Sequence, residues 1–217
     1  MSGTAWWPWL VLLLLGAGHG LNPGMGWLFA VALGLQEGRP AAVWRALGPL
    51  ALGHGAAVAL ALGVAAVVGA VIPVAMLKWV VTLLLLGLGI HRMVIHRHPR
   101  FGGMKVGPRD LTLWSLLMAS AHGAGLMVVP VILAASDGSR GHHGHAISSA
   151  ALLPDPLAAD LWATLVHTAG YLLVTGLIAV IVYHRLGLRL LRTAWINLDL
   201  IWAGALVVTG VATAVWG

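Results

Sequence analysis

Cysteine is absent from the 217 residues. That excludes disulfides, thiolate metal sites and thiol-relay redox chemistry. Charge is scarce as well. The 12 Lys and Arg and 6 Asp and Glu make up 8% of the chain, where a soluble domain carries about 25%. Phe and Tyr number two each, so the aromatic content is mostly the 11 Trp. No catalytic constellation is read from what remains, and the expectation is a protein that is not an enzyme.

What is abundant is apolar. The chain is 60% hydrophobic with a mean hydropathy of +0.95. Such a chain cannot solvate itself as a globule, and apolar stretches of membrane-spanning length point to an all-α integral membrane protein. The formal charge of +6 calls for no nucleic-acid partner, because basic residues in a membrane protein mainly set orientation. The opening MSGTAWWPWLVLLLLG lacks a basic leader and an obvious cleavage site, so it is read as a retained first helix.

Polar and proline-rich breaks divide the chain into six spans, roughly 5–36, 49–71, 75–95, 110–135, 157–183 and 194–216. The connections after the first, third and fifth hold Arg39, Arg45, Arg92, Arg97, Arg100, Lys105, Arg109, Arg185, Arg189 and Arg192. The other side holds only Lys78 and Arg140. This bias predicts a bacterial-type inner membrane protein with both termini periplasmic. Trp6, Trp7, Trp9, Trp79, Trp162 and Trp216 fall at outer ends, and Trp44, Trp114 and Trp195 at inner ends. Interfacial indole belts are expected there. Trp27 and Trp202 are expected to pack inside.

The first span is too long. As straight helix, residues 5–36 would reach about 48 Å at 1.5 Å per residue, against a hydrocarbon core of about 30 Å. Asn22-Pro23-Gly24 is the expected break: proline removes an amide donor and glycine tolerates unusual dihedrals.

An internal repeat is also read. GAGHGLNPGMG (16–26) compares with ASAHGAGLMVVP (119–130), placing a second break or kink in the fourth span with Pro130 as a gating position. LGHGAAVALALG from Leu52 compares with LVHTAGYLLVTG from Leu165. The expectation is a single membrane domain, 1–217, with repeat 1 at about 5–95, a basic inner loop at 96–109 and repeat 2 at about 110–216. Three helices per repeat is an odd number, so the copies enter from opposite sides as inverted-topology repeats. That plan is common among secondary transporters, with substrate near the midplane.

Histidine is costly in lipid and faces the protein interior. His19, His54, His122 and His167 come from four spans at repeat-related positions. Neutral imidazoles suit a transition-metal ion (Ni, Co, Zn or Cu), as ligand set or as cargo, and protonated ones suit a relay. Met25 and Met127 follow as candidate soft ligands, and Asp199, with Asn197 nearby, as charge compensation. Each histidine could instead simply bond across a helix interface, and Asp199 could pair with an arginine. In the outer loop, His142, His143 and His145 with Asp137 form a candidate external capture site. His91, His96 and His98 lie among cationic residues, which suits an anionic-lipid contact better.

The patterns G-x-x-H-x-x-x-P-G from Gly16 and G-H-x-x-x-V from Gly53 resemble the nickel/cobalt exporter (NicO-type) family. They are also similar to the urease-accessory-type and sulfite-exporter-like membrane proteins. These belong to the lysine-exporter superfamily, which includes thiol-disulfide carriers of the cytochrome c maturation type. The resemblance implies a six-to-seven-helix fold from three-helix inverted repeats. It further implies that His19 and Pro23 match the polar helix break, that His54 matches the second-helix histidine, and that the His-rich loop matches a metal-rich one. Those exporters place a second histidine or an acid after the P-G, where this chain has Met25. The thiol-disulfide branch needs intramembrane cysteines and is excluded.

The leading functional expectation is a secondary transporter, an exporter, of a transition-metal or other small cation through the histidines. Its partners would be the lipid bilayer and the ion itself, with homo-oligomer formation left open. The alternatives are a bis-histidine haem b electron-transfer protein, an exporter of a small organic solute such as an amino acid, and an accessory of metalloenzyme maturation.

Overall fold

The computed structural model describes residues 6–94, 107–137, 155–186 and 198–216, and among them every regular element is helical. Helix α1 (Trp7–Leu21) stops at Asn22. A residue before proline is pushed out of the helical region, and Asn22 is extended (φ −73°, ψ 120°). Its side-chain Oδ1 accepts from Gly24 N at 2.9 Å, opening a single tight turn, Pro23–Met25. Gly26 follows at φ 149°, a conformation an L side chain rarely adopts, and α2 (Trp27–Glu37) resumes the path. It ends on left-handed Gly38 (φ 63°).

Helix α3 (Pro40–Val71) is 32 residues long and contains Pro49. It begins well before the position 49 expected from the sequence. Pro40 sits in the first turn, where a missing N–H costs nothing, and Pro49 removes only one bond inside the helix. The Glu37 carboxylate bonds Arg39 at 3.1 Å and also bonds Arg45, fixing the α2–α3 corner. The helix stops at Ile72, extended ahead of Pro73.

Helix α4 (Val74–Val94) follows, then α5 (Pro108–Ala121) and α6 (Ala124–Asp137). The axes on the two sides of the α5–α6 break differ by 54°. The break falls at His122-Gly123, where Gly123 is left-handed (φ 70°). Pro130, the gating position expected from the sequence, lies inside α6. Losing one hydrogen bond bends a helix less than a left-handed residue does, so the glycine sets the break. Helix α7 (Pro156–Ile181), capped by Asp155 Oδ1 on Leu157 N at 3.1 Å, continues into a wider turn over Val182–Leu186. Helix α8 (Leu198–Trp216) is the last.

By length and composition, Pro40–Val71 and Leu157–Arg185 are each able to cross a membrane, and the bent α5–α6 pair qualifies if it forms one span. The outer surface suits lipid: Leu60, Val67, Leu173 and Val208 are 63–68% exposed, which water would penalise. Inside, glycines bring backbones together, as in membrane helix pairs where small residues replace the hydrophobic drive. A Cβ on Gly16 of α1 would stand 1.9 Å from the His167 carbonyl oxygen, and one on Gly170 of α7 2.2 Å from that of Leu13. The same test at Gly53 of α3 meets the Thr112 carbonyl of α5 at 2.2 Å. At Gly89 of α4 it meets the Ala203 carbonyl of α8 at 2.9 Å. Close backbone approaches thus join α1 with α7, α3 with α5 and α4 with α8.

Candidate functional site

Backbone contact between α1 and α7 puts two histidines side by side. His19 is in the last turn of α1, and its Nδ1 donates to the Leu15 carbonyl at 2.8 Å. His167 of α7 donates from Nδ1 to the Leu12 carbonyl of α1 at 3.1 Å, stitching the seam. A carbonyl can only accept, so both Nδ1 atoms carry the proton and each Nε2 keeps its lone pair. The two ring centroids are 5.3 Å apart.

The third imidazole comes from α3. His54 lies 5.7 Å from His19 and 5.4 Å from His167, and its ring is nearly parallel to that of His167 (9°). Tyr171, one turn beyond His167, also stacks against His54, at 4.0 Å and 8°. All three histidines and Tyr171 are fully buried. Neither ring nitrogen of His54, nor Nε2 of His167, has a hydrogen-bond partner among the described residues. An unmet buried polar group costs about 1–3 kcal/mol, so this is an expensive place to put histidine.

The cluster is tied to the first break. Tyr171 Oη donates to the Met25 carbonyl at 2.6 Å. Trp114 Nε1 of α5 donates to the Gly24 carbonyl at 2.9 Å, and Trp27 Nε1 to that of Leu21 at 3.0 Å. Three carbonyls freed by the interrupted helix therefore receive aromatic donors, as buried backbone requires. Ser115 of α5 adds a bond to the Leu50 carbonyl at 2.8 Å, one turn before His54.

The structure thus joins His19, His54 and His167 in one group. His122 stands at the second break, 3% exposed, with Nδ1 donating to the Met118 carbonyl at 2.9 Å. Asn22, Pro23 and Gly24 form the first break as expected. Met25 and Met127 are buried in the apolar core, and the contact that Met25 makes at the break is through its carbonyl. Asp199 falls in the first turn of α8, with its side chain outside the described part, as is that of Asp137. His142, His143, His145, His96 and His98 lie outside the described residues, and His91 is exposed. Trp27 packs inside, whereas Trp114 is partly buried and bonds the break loop instead of standing only at an interface.

Sequence reasoning missed Tyr171. The available signal was that one of only two tyrosines follows a core histidine by four residues, on the same helix face.

Among the described residues, no group of three or more His, Cys, Asp or Glu side chains is posed to hold a metal ion. The reason is visible in the ring planes. Imidazole lone pairs lie in the plane of the ring, and the parallel rings of His54 and His167 aim theirs past each other. Convergence requires His54 to rotate, and no hydrogen bond to its ring holds it in place. Haem fits less well. A macrocycle between His19 and His167 would have to part α1 from α7, which meet backbone to backbone at Gly16 and Gly170. Comparison of the chain with protein-family models, curated protein sequences and solved structures finds no match.

Proposed function

We propose that the chain is a six-span inner membrane protein of two inverted three-helix repeats. It acts as a secondary transporter that exports a small cation, a transition-metal ion foremost, through the His19–His54–His167 cluster. The repeat is supported by the way the seams exchange. If α1 to α4 correspond to α5 to α8, the α1–α7 seam maps onto α5–α3 and the α4–α8 seam onto itself. The local chemistry matches too: His19 and His122 each donate Nδ1 to the carbonyl four residues back, and each stands at a helix break. Exposed Trp44, Trp79 and Trp162 suit the two bilayer interfaces.

The observation that carries the function is His54. It is fully buried and stacks with both His167 and Tyr171, with neither ring nitrogen hydrogen-bonded among the described residues. A histidine serving only as packing would be cheaper as leucine. His19 and His167 meanwhile have the arrangement common to metal-binding histidines, Nδ1–H on a carbonyl and Nε2 free of the proton. In the state described, the rings are fully buried, and Tyr171, stacked on His54, is bonded to the Asn22–Gly26 loop. Rotation of His54 would gather the lone pairs on an ion, and movement of the loop, held by Tyr171 and Trp114, would open the site to one side. Asp199 would balance charge from α8. The resemblance to nickel/cobalt exporters rests on His19, Pro23 and His54, and the packing of His19 against His54 accords with it.

Flux of Co²⁺, Ni²⁺ and Zn²⁺ through proteoliposomes tests this reading. Transport that is lost in His54→Ala supports it. Transport of an amino acid instead, insensitive to His54→Ala, points to the organic-solute alternative.

A further inference from the structure

Tyr171 of α7 touches both the ring that must turn and the loop that must move. Its ring lies on His54, centroids 4.0 Å apart and planes within 8°. Its Oη donates to the Met25 carbonyl of the first break at 2.6 Å. Trp114 holds the neighbouring Gly24 carbonyl, but its ring packs edge-on against Phe29 of α2 at 5.1 Å.

Tyr171 is gripped at both ends. A Cβ on Gly20 of α1 would stand 2.6 Å from the Tyr171 carbonyl oxygen, which fixes the backbone. A Cβ on Gly26 would stand 2.8 Å from Oη and 2.9 Å from the Leu50 side chain, so the loop is moulded on the tip of the phenol. One turn further along α7, the buried Thr175 hydroxyl lies beside the phenol and has no hydrogen-bond partner among the described residues. It is an acceptor to which Oη can turn on leaving the loop.

His54 cannot turn without disturbing this contact. Its lone pairs lie in the ring plane, so gathering them on an ion means tipping the ring out of its stack. A turn about the Cβ–Cγ bond leaves the ring centre nearly in place. The backbone there cannot retreat, because a Cβ on Gly53 would already stand 2.2 Å from the Thr112 carbonyl of α5. Edge-to-face aromatic pairs keep their centroids about 4.5–7 Å apart, and 4.0 Å is too short for a ring turned edge-on. The phenol must therefore withdraw by about 0.5 Å or more, the shortfall from that range. Swinging on its own Cβ, it carries its oxygen further than its ring centre. The bond to Met25, which holds only over about 2.5–3.0 Å, is the one this movement strains.

We propose that Tyr171 couples ion occupancy to the gate. Turning of His54 onto the ion displaces the phenol, Oη gives up the Met25 carbonyl, and the Asn22–Gly26 loop is released. The empty cluster, with His54 back in its stack, holds the loop shut. This rests on the transport reading for the ion, and adds to it the contact by which binding reaches the loop.

The test follows amide exchange in the full chain in detergent, with and without saturating Co²⁺, Ni²⁺ or Zn²⁺, and reads binding separately by calorimetry. The Gly24, Met25 and Gly26 amides bond within the turn, to Asn22 Oδ1 at 2.9 Å and to the Asn22 and Pro23 carbonyls at 3.0 and 3.3 Å. Their exchange therefore reports its opening. In the wild type a bound ion should accelerate that exchange about tenfold or more, the scale of one lost buried hydrogen bond. In Tyr171→Phe the ion should still bind, while exchange is fast from the start and the same with and without it. Trp114→Phe also loosens the turn, but there the ion should accelerate exchange further. A purely structural role for Tyr171 would give both variants the same response to the ion. Wild-type protein that binds an ion with no change in exchange overturns the coupling, whether or not the variants fold, as does a wild-type response in Tyr171→Phe. Wild-type protein that binds none of the three ions removes the histidine reading, and the coupling with it.

Discussion

Replacing Gly16 by alanine adds one methyl group at the closest approach that any glycine makes among the described residues. The new carbon would stand 1.9 Å from the His167 carbonyl oxygen, 2.8 Å from its carbon and 3.1 Å from Tyr171 N. Ordinary contact begins near 3.4 Å, so α1 and α7 must part by about 1.5 Å, the difference between those distances. All three atoms belong to backbone inside a helix and cannot swing aside. Overpacking of this kind costs about 1–3 kcal/mol. The His167–Leu12 hydrogen bond, 3.1 Å before the change, would stretch past its limit and add about 1 kcal/mol or more. The expected loss is thus about 2–4 kcal/mol on those two principles, together with displacement of His167 from His19. Thermal unfolding in detergent reads the first effect, and Co²⁺ binding reads the second. Gly55→Ala is the control, since its methyl meets only ordinary contacts. A Gly16→Ala protein as stable as Gly55→Ala, with binding intact, would refute the backbone-contact reasoning.

Other changes separate structure from function. His54→Leu should raise thermal stability, by about 1–3 kcal/mol for the polar groups no longer buried unmet, while abolishing cation binding; a destabilised variant would show that the ring is structural. Tyr171→Phe keeps the ring on His54 but strands the Met25 carbonyl, at a cost of about 1–3 kcal/mol. Amide exchange at Gly24 to Gly26 should accelerate roughly tenfold to a hundredfold on that scale, and unchanged protection would mean that the loop does not depend on the bond. Gly123→Ala forces a side chain into the left-handed region at the second break, at about 1–2 kcal/mol, and also meets Leu206 at 2.8 Å. Calorimetric unfolding checks it, with no change counting against the assigned backbone conformation.

Much of the local structure was legible because its signals are steric. Asn22-Pro23-Gly24 reads as a break from proline and glycine geometry alone, and the helix indeed ends at Leu21. The helical class follows equally directly from composition. The α3 start and the second break were misplaced for a shared reason: proline was given more weight than its single lost hydrogen bond deserves. Helix α3 runs through Pro49 and α6 through Pro130, while Gly123 makes the turn. Partnerships between distant residues were out of reach. Nothing in the order of residues says that Tyr171 Oη meets the Met25 carbonyl or that Trp114 crosses to Gly24. Both depend on how α5 and α7 dock on the broken span.

The most direct test of the histidine site is equilibrium binding of Ni²⁺, Co²⁺, Zn²⁺ and Cu²⁺ to the purified chain, with X-ray absorption of the loaded protein. A site closed by rotation of His54 toward His19 and His167 predicts binding of at least one of these ions with histidine scattering in its first shell, lost in His54→Ala and in a His19→Ala/His167→Ala variant that remains folded. Absence of binding by all four ions, or binding that survives both variants unchanged, would contradict the site.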